Sequence, residues 1–203
     1  MVLACILVLM LSVAGFGQKT ANQEASAQNV LTYEARGIAK EKKGDLDGAM
    51  ADYNQAIKLN PNYASAYINR GNIKRKKGDP NGAMADYNQA IKLNPKDAVG
   101  YNNRGSVKLL KADLNGALPD FNHAIQLNPK YPVAYNNRGN IKFRKGDLNG
   151  AIGDYNQAIQ LDPRYGLAYR NRGNVKKKKG DIDGAIADFN QAIKLGVSTY
   201  YSE

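Results

Sequence analysis

The side chains in this sequence that could do chemistry recur at fixed intervals. Arginine stands at Arg36, Arg70, Arg104, Arg138 and Arg172, and aspartate at Asp52, Asp86, Asp120, Asp154 and Asp188. Two lysine rows accompany them, Lys40, Lys74, Lys108, Lys142 and Lys176, then Lys43, Lys77, Lys111, Lys145 and Lys179. Amides form a row at Asn69, Asn103, Asn137 and Asn171, and another at Asn72, Asn140 and Asn174, with Ser106 filling the gap. Guanidinium and carboxylate groups pair, ammonium groups attract anions, and an amide both donates and accepts hydrogen bonds. This is the chemistry of recognition rather than of bond making.

Residue types for covalent work are scarce. The one histidine, His123, takes a place held by glutamine elsewhere, the one cysteine is Cys5, and tryptophan is absent. No nucleophile, general base or metal-ligand set can be assembled from them, so a non-enzyme with no cofactor and no metal is expected. The glycines of GNIKFRKG, Gly139 and Gly146, bracket a helix rather than form a phosphate-binding loop.

The elements that must position these rows follow from the same period. Pro61, Pro95, Pro129 and Pro163 are spaced by 34 residues, as are Gly37, Gly71, Gly105, Gly139 and Gly173. A fixed period in that range marks a stacked repeat protein. In the fourth unit a first helix is expected from about Ala134 to Lys145, closed by a glycine at Gly146. Asp147 is the expected N-cap of a second helix whose apolar stripe is Ile152, Tyr155, Ile159 and Leu161, stopped by Asp162 and Pro163. Gly139 is expected to face Ala151, and Ala158 to meet the next repeat.

These residues resemble the tetratricopeptide repeat. Counting each unit from Val30, Ala64, Ala98, Pro132 and Gly166, position 4 is large, 8 glycine, 20 alanine, 24 aromatic and 27 alanine, and position 32 is proline in the first four units and Val197 in the fifth. Tyr67, Gly71, Ala83, Tyr87, Ala90 and Pro95 carry the pattern, as do Tyr135, Gly139, Ala151, Tyr155, Ala158 and Pro163; Gly105 and Ala117 continue it in the third unit. The resemblance implies an all-α fold, a right-handed α-solenoid of five helix-turn-helix repeats at 30–63, 64–97, 98–131, 132–165 and 166–199. Two departures stand out: position 7, usually large and apolar, is always arginine, and position 11, usually tyrosine, is always lysine. An arginine in a packed place needs a paired charge, so Arg104 and Asp120, with their counterparts, are expected to pair as structural residues, leaving the lysines uncommitted.

In the family the first helices line a groove that holds the ligand. That implies a site at Asn69, Asn72, Arg75, Asn103, Ser106, Leu109, Leu110, Asn137, Asn140, Phe143, Arg144, Asn171, Asn174 and Lys177. The amides could bond an extended peptide backbone or bridge neighbouring helices. A clamp for a terminal carboxylate is incomplete, since Ile68, Val133 and Asn137 occupy its basic places. What remains is a basic floor around Leu109, Leu110 and Phe143, suited to an acidic peptide with an apolar anchor unless those leucines simply pack.

Around the repeats, residues 1–17 read as a signal peptide or N-terminal membrane anchor, 18–29 as a polar linker and 200–203 as a tail. An exported chain, secreted or periplasmic, or a membrane-tethered one is therefore expected. The last repeat ends without an extra covering helix, so either Tyr200 and Tyr201 fold over it or two chains associate there. Of 203 residues, 29 are Lys or Arg and 18 Asp or Glu, a net charge of +11. The reading is a protein-binding scaffold for an acidic protein or peptide, with no small-molecule substrate; the alternative is a basic array for polyanions such as anionic surface polymer, lipid or nucleic acid, the last disfavoured because aromatics are not interleaved with the charges.

Overall fold

The hairpin turn repeats almost unchanged, and it shows how the sequence folds locally. In the computed structural model, which describes residues 27–198, Gly44, Gly78, Gly146 and Gly180 take φ of 81–84°, the left-handed conformation that ends a first helix. The next aspartate caps the second helix: the carboxylates of Asp45, Asp113, Asp147 and Asp181 accept from the backbone N–H groups of Gly48, Gly116, Gly150 and Gly184. The second helix stops at an Asn or Asp, where Asn60, Asn128 and Asp162 accept from the N–H two residues on.

Ten helices result among the described residues. They are α1 (27–42), α2 (Leu46–Leu59), α3 (Ala64–Lys76), α4 (Pro80–Leu93), α5 (Ala98–Leu110), α6 (Leu114–Leu127), α7 (Pro132–Arg144), α8 (Leu148–Leu161), α9 (Gly166–Lys178) and α10 (Ile182–Lys194). The fold is all-α, a solenoid of helix-turn-helix repeats. It divides into two units, Met1–Leu93 and Asn94–Glu203. The helix α1 begins at 27, so the end of the polar linker stretch is helical; the apolar segment 1–17 and Tyr200 and Tyr201 lie outside the described residues.

Each hairpin closes on the aromatic at position 24, and over Tyr53, Phe121 and Tyr155 the next repeat closes in turn. A Cβ on Gly71 or Gly139 would lie 2.7 Å from the ring of Tyr87 or Tyr155. Gly139 therefore meets the ring of Tyr155, which takes much of the space beneath the first helix. In the first unit Ala49 and Tyr53 pack with Ile73 of the next first helix; in the second, Ala117 and Phe121 pack with Ile141, and Ala151 and Tyr155 with Val175. Position 27 makes the second contact, as Ala56 with Ala66 and Ala124 with Ala134. Ala83, Ala90 and Ala158 are equally buried, whereas Ile159 and Leu161 are only partly covered, so small residues form more of the second-helix core than the expected stripe. Full burial of such side chains, at roughly 25 cal/mol per Å² of apolar surface, is what drives stacking.

The third repeat breaks two local rules. Its turn carries Ala112 at φ 61° where the sister turns have glycine, and α6 contains Pro119. A non-glycine residue there costs roughly 1–2 kcal/mol, and the sister glycines have open space around them, so the strain lies in the backbone alone. Ala112→Gly should stabilise the chain by about 1 kcal/mol and raise Tm by roughly 2–4 °C in a calorimetric scan.

Candidate functional site

One buried carboxylate per repeat gathers two cations. Asp52, Asp86, Asp120, Asp154 and Asp188 are 2–4% exposed. Arg70, Arg104, Arg138 and Arg172 each grip theirs in bidentate fashion, Nη2 at 2.6–2.7 Å and Nε at 2.8–3.0 Å. Arg36 holds Asp52 in the same way. Lysine at position 11 completes the cluster, with Nζ of Lys40, Lys74, Lys108, Lys142 and Lys176 at 2.8–3.0 Å from the same carboxylate. The expectation that these lysines are uncommitted is therefore wrong: one turn beyond the arginine on the same face, each reaches the same carboxylate. In the position-14 row, Lys77 pairs with Asp47 and Lys179 bonds Asn149 at 2.6 Å.

Arg70, Arg138 and Arg172 also tie their repeats to the ones before. Nη1 of Arg70 bonds Asn54 at 2.9 Å, that of Arg138 bonds Asn122 at 3.0 Å, and that of Arg172 bonds Asn156 at 2.6 Å. The guanidinium lies over the position-4 tyrosine of its own repeat, 5.4 Å from Tyr67, 5.5 Å from Tyr135 and 5.4 Å from Tyr169. Hydrogen bonding to aspartate raises the pKa of Arg70, Arg104, Arg138 and Arg172, and the Arg36 hydrogen bond lowers that of Asp52. The asparagine row at position 25 played no part in the sequence reading, although its fixed period marked it.

The amide rows are largely engaged between helices. Asn69 donates to Glu34 at 3.1 Å, Asn137 to Asn102 at 3.0 Å and Ser106 at 3.4 Å, and Asn171 to Asn136 at 2.9 Å and Asn140 at 3.2 Å. Asn72 and Asn140 accept from the hydroxyls of Tyr87 and Tyr155, both at 2.7 Å. Helix bridging is thus the main use of these rows, because neighbouring first helices bring amide within reach of amide.

The two units differ along their first helices. In the first unit Glu34 binds Asn69 and the hydroxyls of Tyr63 and Ser65, and Glu41 pairs with Lys76 at 2.7 Å and with the Tyr53 hydroxyl at 3.3 Å. Polar side chains along these helices are thus engaged within the unit. In the second unit α5, α7 and α9 contain no acidic residue. A cleft of about 250 Å³ opens there, lined by Leu109, Asn140, Phe143, Arg144, Tyr155, Arg170, Asn171 and Asn174. Leu109 and Phe143 also pack against the cores beneath.

Of the expected site residues, the cleft brings together Leu109, Asn140, Phe143, Arg144, Asn171 and Asn174, while Leu110, 67% exposed, and Lys177 lie outside its lining. Asn69, Asn72 and Arg75 belong to the first unit and are not part of it; Asn103, Ser106 and Asn137 in the second unit are not in the lining either. Arg170 and Tyr155 join it unforeseen; Arg170 was visible as the basic residue that departs from its counterparts Ile68, Asn102 and Asn136. His123 sits against Tyr101, ring centroids 4.3 Å apart, and no group of three or more His, Cys, Asp or Glu among the described residues could hold a metal.

Stacked two-helix layers with an open, side-chain-lined cleft define a helical-repeat scaffold. The TPR repeat family model matches residues 37–78, 71–112 and 139–180, and two further tetratricopeptide repeat models match 121–153 and 167–195. The chain belongs to the tetratricopeptide repeat family, whose arrays serve protein–protein interaction. Among solved structures, MamA is 29% identical, covering 79% of this chain and 94% of its own, with a TM-score of 0.65. YrrB, described as a TPR protein with an unusual peptide-binding site, is 22% identical over 87% of this chain and 91% of its own, TM-score 0.61. TTC0263, a thermophilic TPR protein of Thermus thermophilus, is 20% identical over 82% and 91%, TM-score 0.72. The comparison with curated proteins gives no match.

Two outcomes follow from the buried clusters. Asp120→Ala should cost roughly 3–5 kcal/mol, and cycles with Arg104→Ala and with Lys108→Ala should each show coupling of about 1 kcal/mol or more in denaturant titrations. Because the folded pKa of Asp52 lies below its ordinary 3.8, its contribution is present above that value and lost as pH falls through the folded pKa. Amide exchange in α1 and α2 should accelerate over that acid range, and Asp52→Asn should remove the dependence.

Proposed function

We propose that this chain is a non-catalytic scaffold that binds an extended acidic peptide through the cleft of its second unit. The carrying observation is the cleft's composition: Arg144 and Arg170 flank Leu109 and Phe143, with no carboxylate on α5, α7 or α9 to neutralise them. Arg170 donates a long hydrogen bond, 3.5 Å, to the Ser198 carbonyl, which a ligand carboxylate readily outcompetes. Phe143 and Leu109 offer an anchor site for one apolar side chain, and Asn174 an amide for the peptide backbone. We further propose that the apolar segment 1–17 directs export or tethers the chain to a membrane; no helix among the described residues is long and apolar enough to cross one.

The competing reading, a polyanion-binding basic surface, rests on the +11 net charge and separates by salt response and composition. A fluorescent peptide of alternating Glu and Asp with a single central Phe should bind in anisotropy titrations. Arg144→Glu with Arg170→Glu should weaken it at least about tenfold, and replacing the Phe by Ser should also weaken it. Equal binding of that double variant, or tighter binding of polyglutamate and duplex DNA that collapses with added salt, would overturn the peptide reading.

A further inference from the structure

In the first, third and fourth repeats, the apolar side chains of the second helix that face away from their own hairpin pack on the repeat that follows. In the first unit Leu46 and Met50 pack on the cluster containing Ile73; in the second, Leu114 and Leu118 pack beside Ile141, and Leu148 and Ile152 beside Val175. Their counterparts on α10 are Ile182 and Ile186, each 52% exposed, with Ile193 at 56%. Phe189 is only partly buried, whereas Tyr53, Phe121 and Tyr155 at the same repeat position are 0–1% exposed.

The stripe has a symmetry of its own. Ile182, Ile186, Phe189 and Ile193 follow steps of four, three and four, the spacing of a helix–helix seam. The steps read the same from either end, so a second α10 laid antiparallel would place Ile182 on Ile193 and Ile186 on Phe189. Charge agrees with that direction. Asp183 lies in the first turn and Lys194 in the last, both on one flank of the stripe, and antiparallel pairing brings each end to the opposite charge of the other copy. The opposite end of the array fits this face less well. Its helix α1 carries Thr32 and Ala39, both exposed, at the places where α3 has the buried Ala66 and Ile73. Head-to-tail stacking would thus set a bulkier side chain at the close alanine contact and leave a gap where Ile73 fills the layer.

We infer that α10 is an isologous interface on which two copies of this chain pair about a two-fold axis, with their α10 helices antiparallel. A contact of this kind is closed, giving dimers and not filaments. It goes beyond the peptide reading and does not depend on it, since Arg144 and Arg170 lie outside the stripe.

The test uses the full chain in sedimentation equilibrium, with Cys5→Ser in the cross-linking variants. The expected result is a dimer that Ile186→Glu weakens at least about thirtyfold, while unchanged circular dichroism shows the variant folded. In an antiparallel pair, two residues 182 stand about 16 Å apart along the axis, too far for a disulfide, whereas 182 and 193 meet. Ile182→Cys mixed with Ile193→Cys should cross-link on oxidation, and neither should do so alone. A monomeric wild-type chain at sub-millimolar concentration, an open series of larger species from head-to-tail contact, an association that Ile186→Glu leaves intact, or equal cross-linking of either variant with itself would overturn the inference.

Discussion

Much of this structure depends on putting a carboxylate where water cannot reach it and supplying enough positive charge to keep it there. Desolvating an aspartate costs several kcal/mol, and a single partner often fails to offset that. Here each carboxylate receives a bidentate guanidinium and an ammonium, and the ammonium also reaches the carbonyl at the start of the second helix, as in Lys108 to Gly116 at 3.1 Å. The two helices of a hairpin are therefore fixed in register by a directional interaction, while the aromatic at position 24, under the position-8 glycine, fixes their separation. Hydrophobic burial drives stacking; the charged cluster selects one arrangement.

The arginine's remaining nitrogen gives the cluster its reach beyond the hairpin. By bonding an asparagine of the preceding repeat and lying over a tyrosine of its own, as Arg138 does with Asn122 and Tyr135, it joins three helices at one point. The consequence for function is one of charge accounting. Within each cluster two cations meet one anion, so much of the chain's positive charge is structural, and what remains for a ligand is concentrated at residues such as Arg144, Arg170, Lys177 and Lys178.

Most of the fold was legible because its signals are local and repeated. Turn glycines, capping aspartates and small residues at contact points each state their role within a few residues, and the period multiplies the statement. The Arg–Asp pairing was legible too, since a charge in an apolar place demands a partner. The position-11 lysine was misread because its pairing is settled by side-chain length and direction, not by type. The cleft was half legible: a groove along the first helices followed from the family resemblance, but the internal pairing of Glu34 and Glu41 in the first unit depended on contacts reaching across 29 to 35 residues of sequence, to Tyr63, Asn69 and Lys76. Contacts at that separation leave no mark in local pattern.

The arginine-to-asparagine link has an evolutionary corollary. Arg172 requires from the preceding repeat an asparagine and Val175 an aromatic–alanine surface, and Asn122 with Phe121 and Ala117 offers the same as Asn156 with Tyr155 and Ala151. Removing residues 132–165 would join faces that already match, and duplicating them would do likewise. Unequal recombination in steps of 34 residues can thus lengthen or shorten the array without inventing a new junction. What changes in each step is the number and order of ligand-facing side chains, so recognition can diversify while the scaffold stays the same.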